Sequence, residues 1–135
     1  MATPETPAAL RSMCPVANAL DLIGDRWTLL VIRDLFHGKS RFGDFVASPE
    51  RIPTNILADR LKRLAAAGLV DATPYSTRPP RFAYGLTPAG EALLPVVDAI
   101  ADWGLAQFPG TRRAKLPAAE VAGGGHSRGG AVAGG

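Results

Sequence analysis

The chain has 135 residues, 47% of them hydrophobic and 20% charged, with a formal net charge of +3; this is enough to bury the core of one domain and excludes a wholly disordered polypeptide. No apolar run reaches the ~18–20 residues of a membrane span, and no charged start followed by an apolar segment marks a secretory signal, so a cytoplasmic protein is expected. A single cysteine cannot close an internal disulfide, and with only two histidines beside it no metal site is expected.

The charge is unevenly placed. Residues 39–81 hold eight Lys/Arg against four acids, whereas residues 82–109 hold three acids and no base. Such polarity lets one face approach a polyanion while another face does something else.

Residues 1–12, with Pro4 and Pro7, read as a flexible arm. Cys14-Pro15 then opens a first helix, proline at its first position, which Gly24 stops. Asp25 is a good N-cap for a second helix with Trp27, Leu30, Val31 and Leu35 on its apolar face, ended by Gly38. His37 suits the C-terminal end of that helix, where the dipole favours a cation. Ser40 is expected to cap a short third helix that buries Phe42 and Phe45, with Pro49 just beyond it.

Ile52-Pro53-Thr54 opens a fourth helix that runs to about Ala67 and closes at Gly68, with Leu57, Leu61 and Leu64 inward. Residues 69–75 and 81–86 alternate and are rich in Val, Tyr, Phe and Leu, so they predict a β-hairpin turning through Ser76-Thr77-Arg78-Pro79-Pro80. Thr87-Pro88 caps one final helix carrying Leu93, Leu94, Val97, Ile100 and Trp103 along one side. From about residue 109 the chain becomes a Gly/Ala-rich tail, read as disordered, whose four bases give a solvated extension or added non-specific affinity for nucleic acid. No internal repeat is visible.

The fold class is therefore mainly α with a small β-hairpin wing: a winged helix-turn-helix over residues 13–108. That arrangement suits DNA because the major groove admits one helix, while a hairpin beside it meets the neighbouring backbone. With the leucines inward, the fourth helix presents Asn55, Asp59, Lys62 and Arg63, flanked by Thr54 and Ala58. Asparagine can pair bidentately with adenine, and Lys or Arg with guanine or phosphate. Asp59 has two readings, acceptance from cytosine N4 or an ion pair with Arg63 at i+4, and the pair is favoured. Arg60, on the flank of the core stripe, is placed to pack rather than to read. Arg78 and Arg81 bracket the turn and suit phosphate or minor-groove contact.

Several segments together resemble the HxlR-type winged-helix regulators. They are Cys14-Pro15 with Leu22-Ile23-Gly24-Asp25-Arg26-Trp27-Thr28-Leu29-Leu30; Ser40-Arg41-Phe42-Gly43-Asp44-Phe45; Ile56 through Leu64 with Gly68-Leu69; Pro79-Pro80; and Tyr84-Gly85-Leu86-Thr87-Pro88-Ala89-Gly90. The resemblance covers about residues 13–108, although its Leu-Thr-x-x-Gly piece recurs in other winged-helix families such as MarR. It implies a bacterial or archaeal dimeric transcription regulator, often a repressor, on inverted-repeat operators. It also adds Arg41 to the DNA-binding candidates. The sequence departs from the family at Asp25, where Gly is usual, and at Arg26, where Lys is usual. Ala72-Thr73 stands where arginines are common, weakening strand contacts to phosphate, and Ala83 and Gly85 replace bulkier residues of the wing.

The last helix shows an apolar surface too wide for one small domain to cover, so a homodimer is expected. Leu93, Val97, Ile100 and Trp103 are its candidate contacts, with packing on the monomer's own core as the alternative. The resemblance implies that the first helix takes part too, through Val16 and Leu20. A two-fold dimer spaces two reading helices about one DNA turn (~34 Å) apart, matching a palindromic operator in double-stranded DNA.

Cys14, at a helix start where free amides favour thiolate, is a candidate for redox sensing; the plainer reading is a quiet, partly buried cysteine. Some members of the resembled family sense oxidants or electrophiles at this position. With no second cysteine, any disulfide must cross the dimer or use a small thiol. An enzyme would need a nucleophile–base pair, a metal cluster or a phosphate loop, and none is legible. No cofactor or membrane partner is expected, and the sequence does not identify a small-molecule effector. A winged-helix protein-interaction module without DNA binding is the alternative function, and the retained Lys62, Arg63, Arg78 and Arg81 weigh against it.

Overall fold

The computed structural model describes residues 10–113. Residues 1–9 of the expected arm (1–12) and 114–135 of the expected tail (109–135) lie outside the described residues. What is described of both ends is tied back to the domain. Arg11 pairs with Asp21 at 2.8 Å, and Asn18 donates to the Ser12 carbonyl at 2.7 Å and accepts from the Ser12 N–H at 3.2 Å. At the other end, Arg113 pairs with Asp102 at 2.7 Å and with Asp98.

Two helices open the domain. Helix α1 (Pro15–Ile23) starts at the expected proline, whose missing N–H costs nothing in a first turn. Helix α2 (Thr28–Phe36) begins three residues after Asp25, whose Oδ2 accepts from the N–H groups of Trp27 (3.0 Å) and Thr28 (3.1 Å). Trp27, not Asp25, holds the N-cap position, and Asp25 satisfies the opening amides of α2 from two residues before it.

Helix α3 (Phe42–Val46) is capped differently from expectation. Ser40 does not cap it. The Asp44 carboxylate accepts from the N–H groups of Ser40 (3.2 Å) and Arg41 (3.0 Å) instead. The cause is tertiary: Ser40 and Arg41 are extended along the wing, where the Ser40 carbonyl accepts from the Tyr84 N–H at 2.8 Å and Arg41 bridges to Ala83.

Helix α4 (Thr54–Ala66) buries the three predicted leucines. The turn before it uses a left-handed residue, Arg51 at φ 56°. Strands β1 (Val70–Thr77) and β2 (Pro80–Leu86) pair antiparallel from Val70↔Leu86 to Thr77↔Pro80. They run further than predicted, leaving only Arg78 and Pro79 in the turn. The register shifts between Pro74 and Ser76, so Tyr75 is the extra residue of a bulge. Pro74 has no N–H to donate but is tolerated because β1 is an edge strand.

The single final helix expected from the sequence is two. Helix α5 (Pro88–Glu91) stops and α6 (Leu94–Gln107) begins after a break at Ala92 and Leu93. Pro95 explains it: without an N–H, and with a ring that collides with the carbonyl four residues back, it fits only a first helical turn.

Leu57, Leu61 and Leu64 of α4 join Val31, Ile32 and Leu35 of α2, Phe45 of α3, and Ile52, Leu69 and Val70 in one core. At 1% exposure or less, truncating any of the three α4 leucines to alanine costs about 2–5 kcal/mol. Gly68, at φ +79°, makes the turn from α4 into β1. Thr87 then fastens α5 to that turn, donating to the Gly68 carbonyl at 2.6 Å and accepting from the Gly90 N–H at 3.1 Å. This brings the backbones so close that a Cβ on Gly90 would lie 2.1 Å from the Leu69 carbonyl oxygen. Among the described residues no helix is long and apolar enough to cross a membrane.

Candidate nucleic-acid interface

The buried leucine stripe of α4 fixes which side of the helix faces outward. Thr54, Asn55, Ala58, Asp59, Lys62 and Arg63 are all exposed. They supply amide, hydroxyl, carboxylate, ammonium and guanidinium groups along one helix, the repertoire of base-edge and phosphate contacts.

The favoured Asp59–Arg63 pair does not form. Asp59 pairs with its neighbour Arg60. Arg63 has no recorded partner among the described residues and projects from the last turn of α4. Arg60 explains the change. Its Nε donates to Asp25 Oδ2 at 2.9 Å, which draws the guanidinium toward the start of α2 and within reach of Asp59. Burial alone would push the Asp25 carboxyl up. Hydrogen bonds from the Thr28 hydroxyl, Arg60 and the Trp27 N–H outweigh that and hold it well below the usual carboxylate range.

A second polar cluster braces the segment between α2 and α4. Arg33 makes a two-pronged bond to Glu50, at 2.8 and 2.9 Å, and also reaches Asp34. Asp34 is buried and accepts from the Ser48 hydroxyl, to which Lys39 Nζ is bonded at 2.9 Å. The bond from Arg33, more than any other interaction, holds the Glu50 carboxyl below its ordinary value. Sequence reasoning missed this cluster, although its signal was present. Asp34 lies three residues after Val31, on the core stripe, where a carboxylate must find partners.

The wing is anchored where Arg41 bridges to β2. Arg41 stacks over the Tyr75 ring with its guanidinium carbon 4.1 Å from the centroid, and Tyr84 meets Phe45 edge-on at 6.3 Å. Arg78 and Arg81 are exposed at the tip. The structure thus joins Arg41 to the wing and leaves Arg78 and Arg81 at its end.

The comparisons with known proteins agree with this geometry. The family model described as HxlR-like helix-turn-helix matches residues 22–111. The chain belongs to the HxlR-like family. The uncharacterized HTH-type transcriptional regulator Rv3095 of Mycobacterium tuberculosis is 43% identical over 94 residues, 70% of this chain and 59% of its own length. The chain therefore spans less than two thirds of that relative. Among solved structures, PA1607 has a TM-score of 0.69 and 40% identity, covering 78% of this chain and 75% of its own. The redox regulator HypR in its reduced form has a TM-score of 0.65 and 32% identity, covering 71% and 95%. The winged-helix fold is thus shared with transcription regulators.

Within this HxlR-like domain the expected dimer residues divide. Val16, Leu20, Ile100 and Trp103 are exposed, whereas Leu93 and Val97 are half-buried against the monomer's own core. The break at Ala92 and Leu93 separates α6 from α5, and Val96, Leu105 and Phe108 are exposed as well. Cys14 is exposed rather than partly buried, at the N-cap of α1, its N–H donated to the Ser12 hydroxyl at 3.0 Å. Among the described residues no group of His, Cys, Asp and Glu is arranged to hold a metal ion.

Proposed function

We propose that two copies of the chain bind double-stranded DNA as a sequence-specific transcriptional repressor in the cytoplasm, on an inverted-repeat operator. The observation that carries this reading is the outward face of α4, wholly exposed and lined by hydrogen-bonding side chains. Asn55 and Asp59 meet base edges. Thr54, Lys62 and Arg63 serve bases or phosphates at the margin of the groove, and Ala58 gives close apolar contact. Arg41, Arg78 and Arg81 hold the flanking backbone from the wing.

The dimer forms through the apolar surface of α1 and α6, where Val16, Leu20, Ile100 and Trp103 are more than half exposed in the single chain. Large apolar side chains exposed together in this way mark an interaction surface. A two-fold axis then sets the two α4 helices about one DNA turn (~34 Å) apart.

Cys14 is the site of oxidant control in this reading. A peroxide oxidises its thiolate to a sulfenic acid. That acid condenses with the partner's Cys14 or a small thiol, releasing water and forming a disulfide. Support comes from the exposed thiol at a helix start and from the likeness to HypR, which has been solved in reduced and oxidised forms.

Selection from a pool of random duplexes tests the proposal. It should enrich an inverted repeat with half-site centres about 10 base pairs, or a multiple of that, apart. A pool that stays random after repeated rounds overturns the DNA-reading role and leaves a protein partner as the use of the wing and α4.

A further inference from the structure

Asp59 stands near the middle of the outward face of α4. At about 100° per residue it lies almost opposite the stripe of Leu57, Leu61 and Leu64. Asn55 is one turn before it and Lys62 one turn after. A carboxylate there confronts the phosphates of any duplex α4 enters, and the repulsion is offset only where it meets a hydrogen-bond donor.

Its surroundings do not neutralise it. The only recorded partner of Asp59 among the described residues is Arg60, through Oδ2, and the same guanidinium serves Asp25. One cation shared by two carboxylates leaves the trio with net negative charge. The Arg60 side chain is 18% exposed and held from below by Asp25, whereas the Asp59 side chain is 53% exposed. The arginine therefore engages one carboxylate oxygen of Asp59 and leaves the other without a hydrogen bond among the described residues.

We propose that Asp59 is a specificity-determining residue that accepts, through its unpinned Oδ1, from the N4 amino group of a cytosine in the major groove. Cytosine is favoured over adenine because the adenine amino group adjoins the N7 acceptor, which repels a carboxylate. Guanine and thymine present only acceptors along that edge. The charge of Asp59 also works against duplexes with no cytosine in place, so it sharpens selectivity by rejection as well as by contact.

This inference rests on α4 being the DNA-reading helix, and its test separates the two. The selected duplex is rebuilt with each of the four bases at every half-site position and titrated with the wild type, Asp59→Ala and Asp59→Asn. The wild type should prefer cytosine about tenfold or more at one position per half-site. Asp59→Ala should lose that preference alone while binding a scrambled duplex more tightly than wild type. Asp59→Asn should turn the preference toward adenine, which an amide can engage bidentately. Both substitutions lie at an exposed position, so thermal unfolding should remain cooperative. If both variants keep the wild-type base profile and the wild-type affinity for scrambled DNA, Asp59 merely holds Arg60 and the proposal fails. A wild type with no base preference at any position would overturn the reading role of α4 itself.

Discussion

Arg60 and Asp25, 35 positions apart, are joined by a 2.9 Å bond from the arginine Nε to the carboxylate Oδ2. The same carboxylate accepts from the opening amides of α2, so one side chain ties the start of α2 to α4. A side chain from outside α4 thus adds to the hold that its own buried leucines give.

Loss of that link should cost stability before it costs recognition. Asp25→Ala removes the acceptor of those amides and leaves Arg60 half-buried without its main partner, a change expected to cost about 1–3 kcal/mol. Arg60→Met, which keeps the packing stem, should cost less. Urea denaturation followed by circular dichroism compares the two.

Acid should reveal the same link. The Asp25 carboxyl is held below its ordinary value in the folded chain, so the folded state takes up its proton less readily than the unfolded state. Its contribution is complete above the unfolded value of about 3.9. It is lost as the pH falls from there through the folded value. Melting temperatures taken between pH 7 and pH 2 should fall less steeply for Asp25→Asn than for wild type. Parallel curves would show that Asp25 does not contribute to the acid loss.

Gly90→Ala should destabilise the wing and the start of α5, because its Cβ would sit 2.1 Å from the Leu69 carbonyl oxygen. An overpacked site of this kind costs about 1–3 kcal/mol. Gly85→Ala is the control: nothing lies within 4 Å of its Cβ position, so its stability should stay near wild type.

The order of helices and strands was legible because each boundary carries its own chemistry. Pro15, Asp25, Pro53 and Thr87 stand at or just before helix starts, and the leucines of α4 repeat at helical spacing. The outward face of α4 followed from that stripe. The Asp59–Arg63 expectation failed because local spacing carried no sign of Asp25 arriving from elsewhere in the chain. Ser40 failed as a cap for a similar reason, its backbone being taken up by the wing. The break before α6 was readable: Pro95 forbids a continuous helix, and a run of apolar residues obscured it. Leu93 and Val97 were assigned to the outer stripe with Ile100 and Trp103, whereas they pack against the core.

The dimer prediction follows from the corrected faces. Ile100→Asp, at a residue 51% exposed in the single chain, should yield a folded monomer by sedimentation. Val97→Asp should instead lower the melting temperature, since it puts a charge against the core. A dimer that survives Ile100→Asp places the interface away from this face of α6.

Lys62 and Asn55 should separate affinity from selectivity. Lys62→Ala is expected to weaken binding to all duplexes and lower the salt slope by about one. Asn55→Ala should cost about 1–3 kcal/mol at one position per half-site and little on scrambled DNA. Equal losses on both duplexes would remove Asn55 from the base-reading set.

Sequence-specific binding by two chains is tested most directly by fluorescence anisotropy at ~150 mM salt, where non-specific attraction is screened. The selected duplex and a scrambled duplex of equal length are titrated with the full chain. The selected duplex should be preferred ~10³-fold or more, with two chains bound per duplex. Equal affinity for the two duplexes would rule out sequence-specific binding.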